Sequence, residues 1–364
     1  MLNKDLYEKY LQKKAKKLGV SVEELRGGNS AQSTPTPSVQ TYSTPQPEQV
    51  VSPTPVVQSQ IEPQPVVENP VYEAPKSEPV VDRRENKFAI IGYPLGHSLS
   101  EVIHKAGFKS IGLDGSYEIL ETDPEDLVNQ IKNLKNGNYK GFNVTIPLKL
   151  PVALFVDEVD RFADIASAIN TVVINPDRTL KGYNTDVIGF KKAIPSDFAL
   201  SGKVAGVLGT GGASRAATVA LAEAGVKEIR FYTRNIPNTI KLLNYMRRMF
   251  PNVQFDAYQI ENIRDLSMID ILVNATPIGM LGYSADMTPV EKYQMETLPQ
   301  GALVYDVIYN PKKTIFLKIA EDLGYRTVNG VDMLIGQAVA AEEIWTGKTP
   351  SVDAMKIALL EALE

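Results

Sequence analysis

Lys203-Val-Ala-Gly-Val-Leu-Gly209-Thr-Gly211-Gly212-Ala-Ser214 reads as a buried apolar strand that ends in a glycine turn. A helical run follows from Ala213 to Ala224, and Glu228 to Tyr232 supplies a second strand. Strand, glycine turn, helix and strand at this spacing form one unit of a parallel, dinucleotide-binding sheet. The glycines let the backbone approach a pyrophosphate, while the helix N-terminus offers amide donors and a favourable dipole. Ser214 stands where the fingerprint's third glycine usually falls, and Arg215 can add a positive charge beside the turn. A tight turn without a ligand is the competing reading; the flanking strands and helix favour the nucleotide site.

The end of the second strand bears on the cofactor. An NAD site usually places a carboxylate there to bind the ribose hydroxyls. This chain has Thr233-Arg234-Asn235 instead. A carboxylate would repel a 2′-phosphate, whereas Arg234 can bind one through charge-assisted hydrogen bonds. NADP is therefore the favoured cofactor and NAD the alternative.

Upstream of this unit the globular pattern begins at Lys87. Phe88 to Ile91 reads as a short strand, Leu99 to Ile111 as a helix and Ser116 to Leu120 as a strand. Pro124 to Leu134 reads as a helix capped by Asp123. Strands follow at Tyr139 to Val144 and Val172 to Ile174, the latter closed by a turn over Asn175-Pro-Asp-Arg178. Downstream, strands are expected at Ile269 to Asn274 and Ala302 to Val307. A helix is expected after Gly336, containing Gln337 to Trp345, and another over Val352 to Leu363. The alternation argues for an α/β layer architecture in which a second α/β unit starts near Gly202.

The first 86 residues differ in kind. Residues 1–26 carry a helical pattern with Leu2, Leu6, Tyr10, Leu11, Ala15 and Leu18 on one face and a basic polar side. They read either as an arm that docks on a partner or an anionic surface or, the favoured reading, as a short helix without a strong target. Residues 27–86 are rich in Pro, Thr, Ser, Gln and Val, as in Thr34-Pro-Thr-Pro37 and Ser52-Pro-Thr-Pro55. Prolines at this density favour extended, solvated backbone and a disordered linker. As a flexible coil it would span about 45 Å root-mean-square.

Bulk composition excludes several classes. The chain has 364 residues, 43% hydrophobic content and a net charge of -5, which gives no electrostatic footprint for nucleic acid. No apolar run approaches the roughly 20 residues that cross a bilayer. There is no cysteine, so disulfides, zinc-thiolate sites and thiol nucleophiles are absent, which fits a reducing cytoplasm. His97 and His104 are the two histidines, and no metal site is expected.

Two polar clusters carry the chemistry: Asn143-Val-Thr145-Ile-Pro147-Leu-Lys149 and Asn184-Thr185-Asp186, both placed at loop-like breaks. A lysine ammonium beside a ketone can donate the proton as hydride reaches the carbon, and Asp186 could orient the same hydroxyl and hold the lysine. From spacing alone, a structural salt bridge is the favoured reading of the pair. His97 follows a strand, but Ser98 and Ser100 at alternate positions suit a small anion better. His97 therefore reads as a loop-orienting residue, and His104 as part of the next helix.

Taken together, residues 87–364 resemble the shikimate dehydrogenase family. The stretches that carry the resemblance are Gly92-Tyr-Pro-Leu-Gly-His-Ser-Leu-Ser100, the Asn143 to Lys149 segment, Ala168-Ile-Asn170-Thr171, Asn184-Thr-Asp186 and the glycine loop. Asn274-Ala-Thr-Pro-Ile-Gly-Met280, Tyr305-Asp-Val-Ile-Tyr-Asn-Pro311 and Gly336-Gln337-Ala338 complete the set. The resemblance implies a two-domain α/β enzyme. Residues 87–186, completed by 331–364, would form a substrate-binding domain, and 187–330 a Rossmann dinucleotide-binding domain. It also implies NADPH-dependent reduction of 3-dehydroshikimate to shikimate, a cytoplasmic step towards chorismate and the aromatic amino acids.

Carried over by position, Lys149 and Asp186 are the catalytic pair. Ser98, Ser100 and Tyr309 face the substrate carboxylate, and Thr145, Asn170 and Gln337 the ring hydroxyls. Gly209, Thr210, Gly211, Gly212, Ala213, Thr233, Arg234, Asn235 and Asn238 bind the cofactor, with Val307 and Gly330 near the nicotinamide. Three positions depart from the family pattern: Glu101 where proline is common, Asn238 where a second arginine is common, and Asp332 where glycine is frequent. The family includes both monomers and homodimers. Two alternatives stay open: a quinate or dual quinate/shikimate dehydrogenase using NAD or NADP, and a non-catalytic metabolite-binding regulator. An unidentified partner for the N-terminal arm is compatible with each.

Overall fold

In a computed structural model of the chain, the structure describes residues 84–364. The arm expected over 1–26, and the linker as far as residue 83, lie outside them. The fold starts slightly earlier than composition indicates. β1 (Asn86–Gly92) already includes Asn86, and the Arg84 guanidinium donates to the carbonyls of Tyr139 (2.9 Å) and Ile174 (2.7 Å).

β1 buries Phe88 to Ile91 and pairs in parallel with β2 (Gly115–Glu121), which it reaches through α1 (Ser100–Ser110). α2 (Leu127–Asn136) begins at Leu127 and not at Pro124. The reason is local: Asp123 Oδ1 accepts the Glu125 N–H at 2.8 Å, and the Asp126 N–H donates to the Asp123 carbonyl at 3.0 Å. These bonds hold Pro124 to Asp126 in a turn. β3 (Tyr139–Val144), β4 (Glu158–Val159), α3 (Arg161–Ala166), β5 (Thr171–Ile174) and β6 (Leu180–Tyr183) follow. The resulting mixed sheet has the order β2-β1-β3-β5-β6-β4, antiparallel where β5 meets β3 and β6.

α4 (Asp186–Ala193) leads into the second sheet. Its elements are β7 (Val204–Leu208), α5 (Gly212–Glu223), β8 (Glu228–Thr233), α6 (Ile236–Met249), β9 (Gln254–Gln259) and β10 (Ile271–Asn274). α7 (Lys292–Met295), β11 (Leu303–Asp306), α8 (Ile315–Asp322) and β12 (Arg326–Val328) complete it. All pairings are parallel and the order is β12-β11-β10-β7-β8-β9. This is the Rossmann arrangement, in which chain direction across the sheet reverses between β7 and β10 and leaves a ligand crevice at their carboxyl ends. The structure is thus a two-domain α/β fold, a mixed sheet followed by a Rossmann sheet.

α9 (Val331–Thr346) and α10 (Val352–Ala362) return the chain to the first sheet, where α10 packs on α1. α9 starts at Val331, so Gly336 and Gln337 lie inside the helix and not at its entrance. α4 packs along α9 and against α5, and Phe190 of α4 stacks on Tyr305 of β11 with ring centroids 4.6 Å apart. Val187 and Phe190 share one apolar cluster with Ala216, Ala217 and Ala220 of α5. Small side chains on that helix let it approach closely, so α4 joins the two sheets through a dry contact. Among the described residues, no helix is long and apolar enough to cross a membrane.

Candidate active site

Lys149 sits in the turn that follows β3, and its backbone carbonyl accepts the Ile169 N–H at 2.8 Å. That bond brings the lysine beside Asn170, the residue before β5. Asp186 is the first residue of α4, not part of a loop, so the helix N-terminus favours its negative charge. Lys149 Nζ donates to Asp186 Oδ2 at 2.6 Å, and Asn170 Nδ2 donates to Asp186 Oδ1 at 2.9 Å. Both carboxylate oxygens are thereby engaged. The two charged side chains are 15% and 7% exposed, enough for a small substrate to reach them and little enough for the charges to act in a poorly screened medium.

Asn170 is the centre of this group. It accepts the Thr185 N–H on Oδ1 at 2.8 Å, and Gln337 Oε1 lies 3.4 Å from its Nδ2. Four of the residues singled out in the sequence, Lys149, Asp186, Asn170 and Gln337, therefore meet at one point. Thr145 comes from the same turn as Lys149; its N–H donates to the Ile91 carbonyl at 2.9 Å. Ser98 and Ser100 form a second point at the start of α1, where their hydroxyls are 3.3 Å apart. Leu99 and Tyr309 pack against the same apolar cluster, which includes Ile103, Val331 and Ile335, and burial raises the pKa of the Tyr309 phenol above its ordinary value. His97 is exposed beside Gly282.

The glycine turn fits a dinucleotide. Gly209 follows β7 with φ of 95°, a conformation that other residues rarely adopt. α5 opens at Gly212 behind Gly211, and no side chain caps it, so its first amides are free to meet an anion. Ser214 Oγ is fully buried in this turn and has no hydrogen-bond partner among the described residues. The aliphatic stem of Lys149 lies against Gly212, which places the lysine at the edge of the nucleotide loop. Val307 and Gly330 touch: a methyl group on Gly330 would fall 2.1 Å from the Val307 carbonyl oxygen. The Arg215 guanidinium reaches across to the Ala166 carbonyl at 3.4 Å.

At the end of β8, Thr233 is buried and Arg234 exposed. The Asn235 side chain caps α6 by accepting the Asn238 N–H at 3.1 Å. Its oxygen is thus occupied by the helix, and Asn238 presents an exposed side chain beside it. Two of the departures from the family pattern have local partners: Glu101 pairs with Lys105 at 2.6 Å, and Asp332 with Lys356 at 2.5 Å.

Sequence reading gave no role to several residues that support the site. Asn143 and Thr185 lie inside the quoted motifs yet act as buried hydrogen-bonding partners of Asn170. Asn274 Nδ2 donates to Asp306 Oδ1 at 3.1 Å, and the Thr314 hydroxyl donates to Asp306 Oδ2 at 2.7 Å, which ties the ends of β10 and β11 together. Burial pushes Asp306 up to about 6. Glu342, fully buried, faces His104 at 2.9 Å. An acid seven residues after Ile335 and four after Ala338, on the apolar face of one helix, was the signal for it.

A dinucleotide turn, a lysine at its edge and a carboxylate bound to that lysine can together deliver hydride and proton to a carbonyl group. Comparisons with known proteins agree with that arrangement. The shikimate dehydrogenase substrate binding domain matches residues 90–172, and the shikimate 5'-dehydrogenase C-terminal domain matches residues 330–360. Shikimate dehydrogenase (NADP+) of Halothermothrix orenii is 37% identical over 276 residues, 74% of this chain and 94% of that protein. Shikimate 5-dehydrogenase from Thermus thermophilus, solved in complex with shikimate, is similar at a TM-score of 0.66 and 33% identity, covering 76% of this chain and 98% of that one. A ligand-free 5-ketofructose reductase of a Gluconobacter strain has a TM-score of 0.68 at 31% identity, over 77% of this chain and 99% of that one. With a relative of this identity matched over nearly its whole length, the chain belongs to the shikimate dehydrogenase family.

Proposed function

We infer that this protein is an NADP-dependent shikimate dehydrogenase that reduces 3-dehydroshikimate to shikimate, and runs the reverse oxidation, on the route to chorismate and the aromatic amino acids. The observation that carries the reading is the Lys149–Asp186 contact of 2.6 Å set against the nucleotide loop at Gly212. The Gly209 to Ala213 turn would hold NADPH, with Arg234 toward its 2′-phosphate and Val307 and Gly330 toward its nicotinamide, and the bound cofactor would supply the hydride.

The remaining chemistry belongs to the chain. Lys149 donates a proton to the substrate's ketone oxygen as that oxygen gains charge, and takes it back in the oxidation direction. Asp186 holds the ammonium in place and, with Asn170, Thr145 and Gln337, receives the ring hydroxyls. Ser98, Ser100 and Tyr309 take the carboxylate. A small polyol acid needs convergent, satisfied hydrogen bonds more than apolar contact, and a site built this way rejects analogues that leave its polar groups unpaired. Residues 87–186 with 331–364 bind substrate and 187–330 bind cofactor. The reaction is assigned to the cytoplasm, which a chain without cysteine fits.

The test is NADPH oxidation by purified protein with 3-dehydroshikimate, run beside Lys149→Ala. Turnover that collapses in the variant while NADPH binding persists supports the reading. A wild-type protein that turns over quinate and not shikimate, or neither with NADPH or NADH, rejects it.

A further inference from the structure

A buried polar line starts at Tyr117, crosses the first sheet through Asn143 and Asn170 and ends at Asp186 and Lys149. Tyr117 lies on β2 and is 2% exposed. Its hydroxyl donates to Asn143 Oδ1 at 2.6 Å, and its ring stacks on His104 of α1, the helix that Ser100 opens. Asn143 Nδ2 donates to the Asn170 carbonyl at 3.2 Å and to Thr171 Oγ1 at 3.0 Å. Asn170 in turn binds Asp186, whose other oxygen holds Lys149. One tyrosine therefore packs on the helix that carries Ser100 and reaches Asn170 through a single amide.

The ring itself is held from behind. His104 stacks on it with centroids 4.4 Å apart and planes at 14°. His104 Nδ1 lies 2.9 Å from Glu342 Oε1, both residues being buried. His104 belongs to α1, which begins at Ser100, and Glu342 to α9, which carries Gln337. Polar groups are an unfavourable way to fill a core. A satisfied hydroxyl–amide chain, however, accepts one arrangement where apolar side chains accept several.

We propose that Tyr117 is a positioning residue for the reaction: its hydroxyl holds Asn143 and through it Asn170, while its ring packs on the helix that Ser100 opens, which keeps the carboxylate end and the hydroxyl end of the substrate site in register. The proposal deepens the shikimate dehydrogenase reading and takes its substrate from it. Tyr117→Phe keeps the ring and its stacking and removes only the hydroxyl.

The variant is expected to raise KM for 3-dehydroshikimate about tenfold, through the buried acceptor left unpaired on Asn143, with KM for NADPH unchanged because the glycine turn belongs to the other sheet. Trp345→Phe serves as the stability control. It removes an indole N–H that donates to the Val172 carbonyl at 3.1 Å in the same aromatic cluster, and should lower Tm while leaving both KM values alone. A substrate-independent readout is the rate of Lys149 acetylation by acetic anhydride at fixed pH, followed by peptide mass spectrometry. Loosening Asn170 frees the lysine, so Tyr117→Phe should react several-fold faster than wild type.

An unchanged substrate KM in Tyr117→Phe, or an equal rise in Trp345→Phe, overturns the proposal. If the wild type turns over no 3-dehydroshikimate, the substrate assignment fails separately and acetylation decides. A faster rate then upholds the positioning role, and a rate equal to wild type removes it.

Discussion

Gly212 and Lys149 are in contact: a methyl group added to the glycine would lie 3.0 Å from Cδ and 3.3 Å from Cβ of the lysine. The residue proposed to donate the proton is thus packed on the loop proposed to bind the cofactor. Gly212→Ala should be tolerated by the backbone, since the residue is helical, but the lysine stem must move by a few tenths of an ångström. Misplacement by 1 Å can cost about a hundredfold in rate, so a displacement of this size should lower kcat about tenfold. The measurement is kcat at saturating NADPH and substrate. A variant whose only change is a higher KM for NADPH would show that the contact does not govern the lysine.

Asp186→Asn keeps the side chain's shape and its bond from Asn170 but withdraws the charge that holds Lys149. The expected result is a loss of about a hundredfold or more in kcat. The fold should persist, shown by an unchanged circular-dichroism spectrum. Activity within threefold of wild type would reduce the pair to a structural salt bridge.

Arg234 stands exposed at the end of β8 and is the residue proposed to meet the 2′-phosphate. One charge-assisted hydrogen bond is worth about 1.5–3 kcal/mol, so Arg234→Ala should raise KM for NADPH by roughly 10- to 100-fold. KM for NADH should stay the same, because NADH lacks that phosphate. A parallel rise for both cofactors would point instead to damage of the loop.

Asp306 offers a pH test with a definite sign. Burial raises its pKa from 3.8 to about 6 in the folded protein, against the hydrogen bonds that favour its charged form. Between these values the folded state binds a proton that the unfolded state does not, so stability from this group is gained as pH falls through 6 and lost as pH rises through it. For such a shift the difference between pH 7.5 and pH 4.5 is about 2 kcal/mol. Asp306→Asn removes the titration, so the variant should gain about that much relative to wild type from pH 4.5 to 7.5. Urea unfolding of both proteins at the two pH values measures it. Parallel pH profiles would show that Asp306 is not the titrating group.

Local patterns that repeat along a chain were legible. The Gly209 to Gly212 turn lay between an apolar strand and a helix, and both elements formed within a residue of their expected ends. Lys149 and Asp186 were named from short motifs, but only tertiary structure brings the two side chains within 2.6 Å of each other. Helix starts were read less well. Pro124 is a good first helical residue, yet the Asp123 side chain captured the next amide but one and delayed α2 to Leu127. Gly336 looked like an entrance to a helix that begins at Val331. Tyr117, His104 and Glu342 were illegible as a set, since they come from three elements and acquire meaning only when β2, α1 and α9 pack together.

Arg84 grips the first residue of β3 and the last of β5, at the edge of the sheet opposite Val144 and Thr171. Six residues of strand at about 3.3 Å each separate that grip from the turn bearing Lys149, roughly 20 Å in all. A pull on the chain at Arg84 therefore loads one end of the sheet, while Lys149, proposed as the proton donor, stands beyond the other. Immobilising the protein from that side should therefore leave turnover intact.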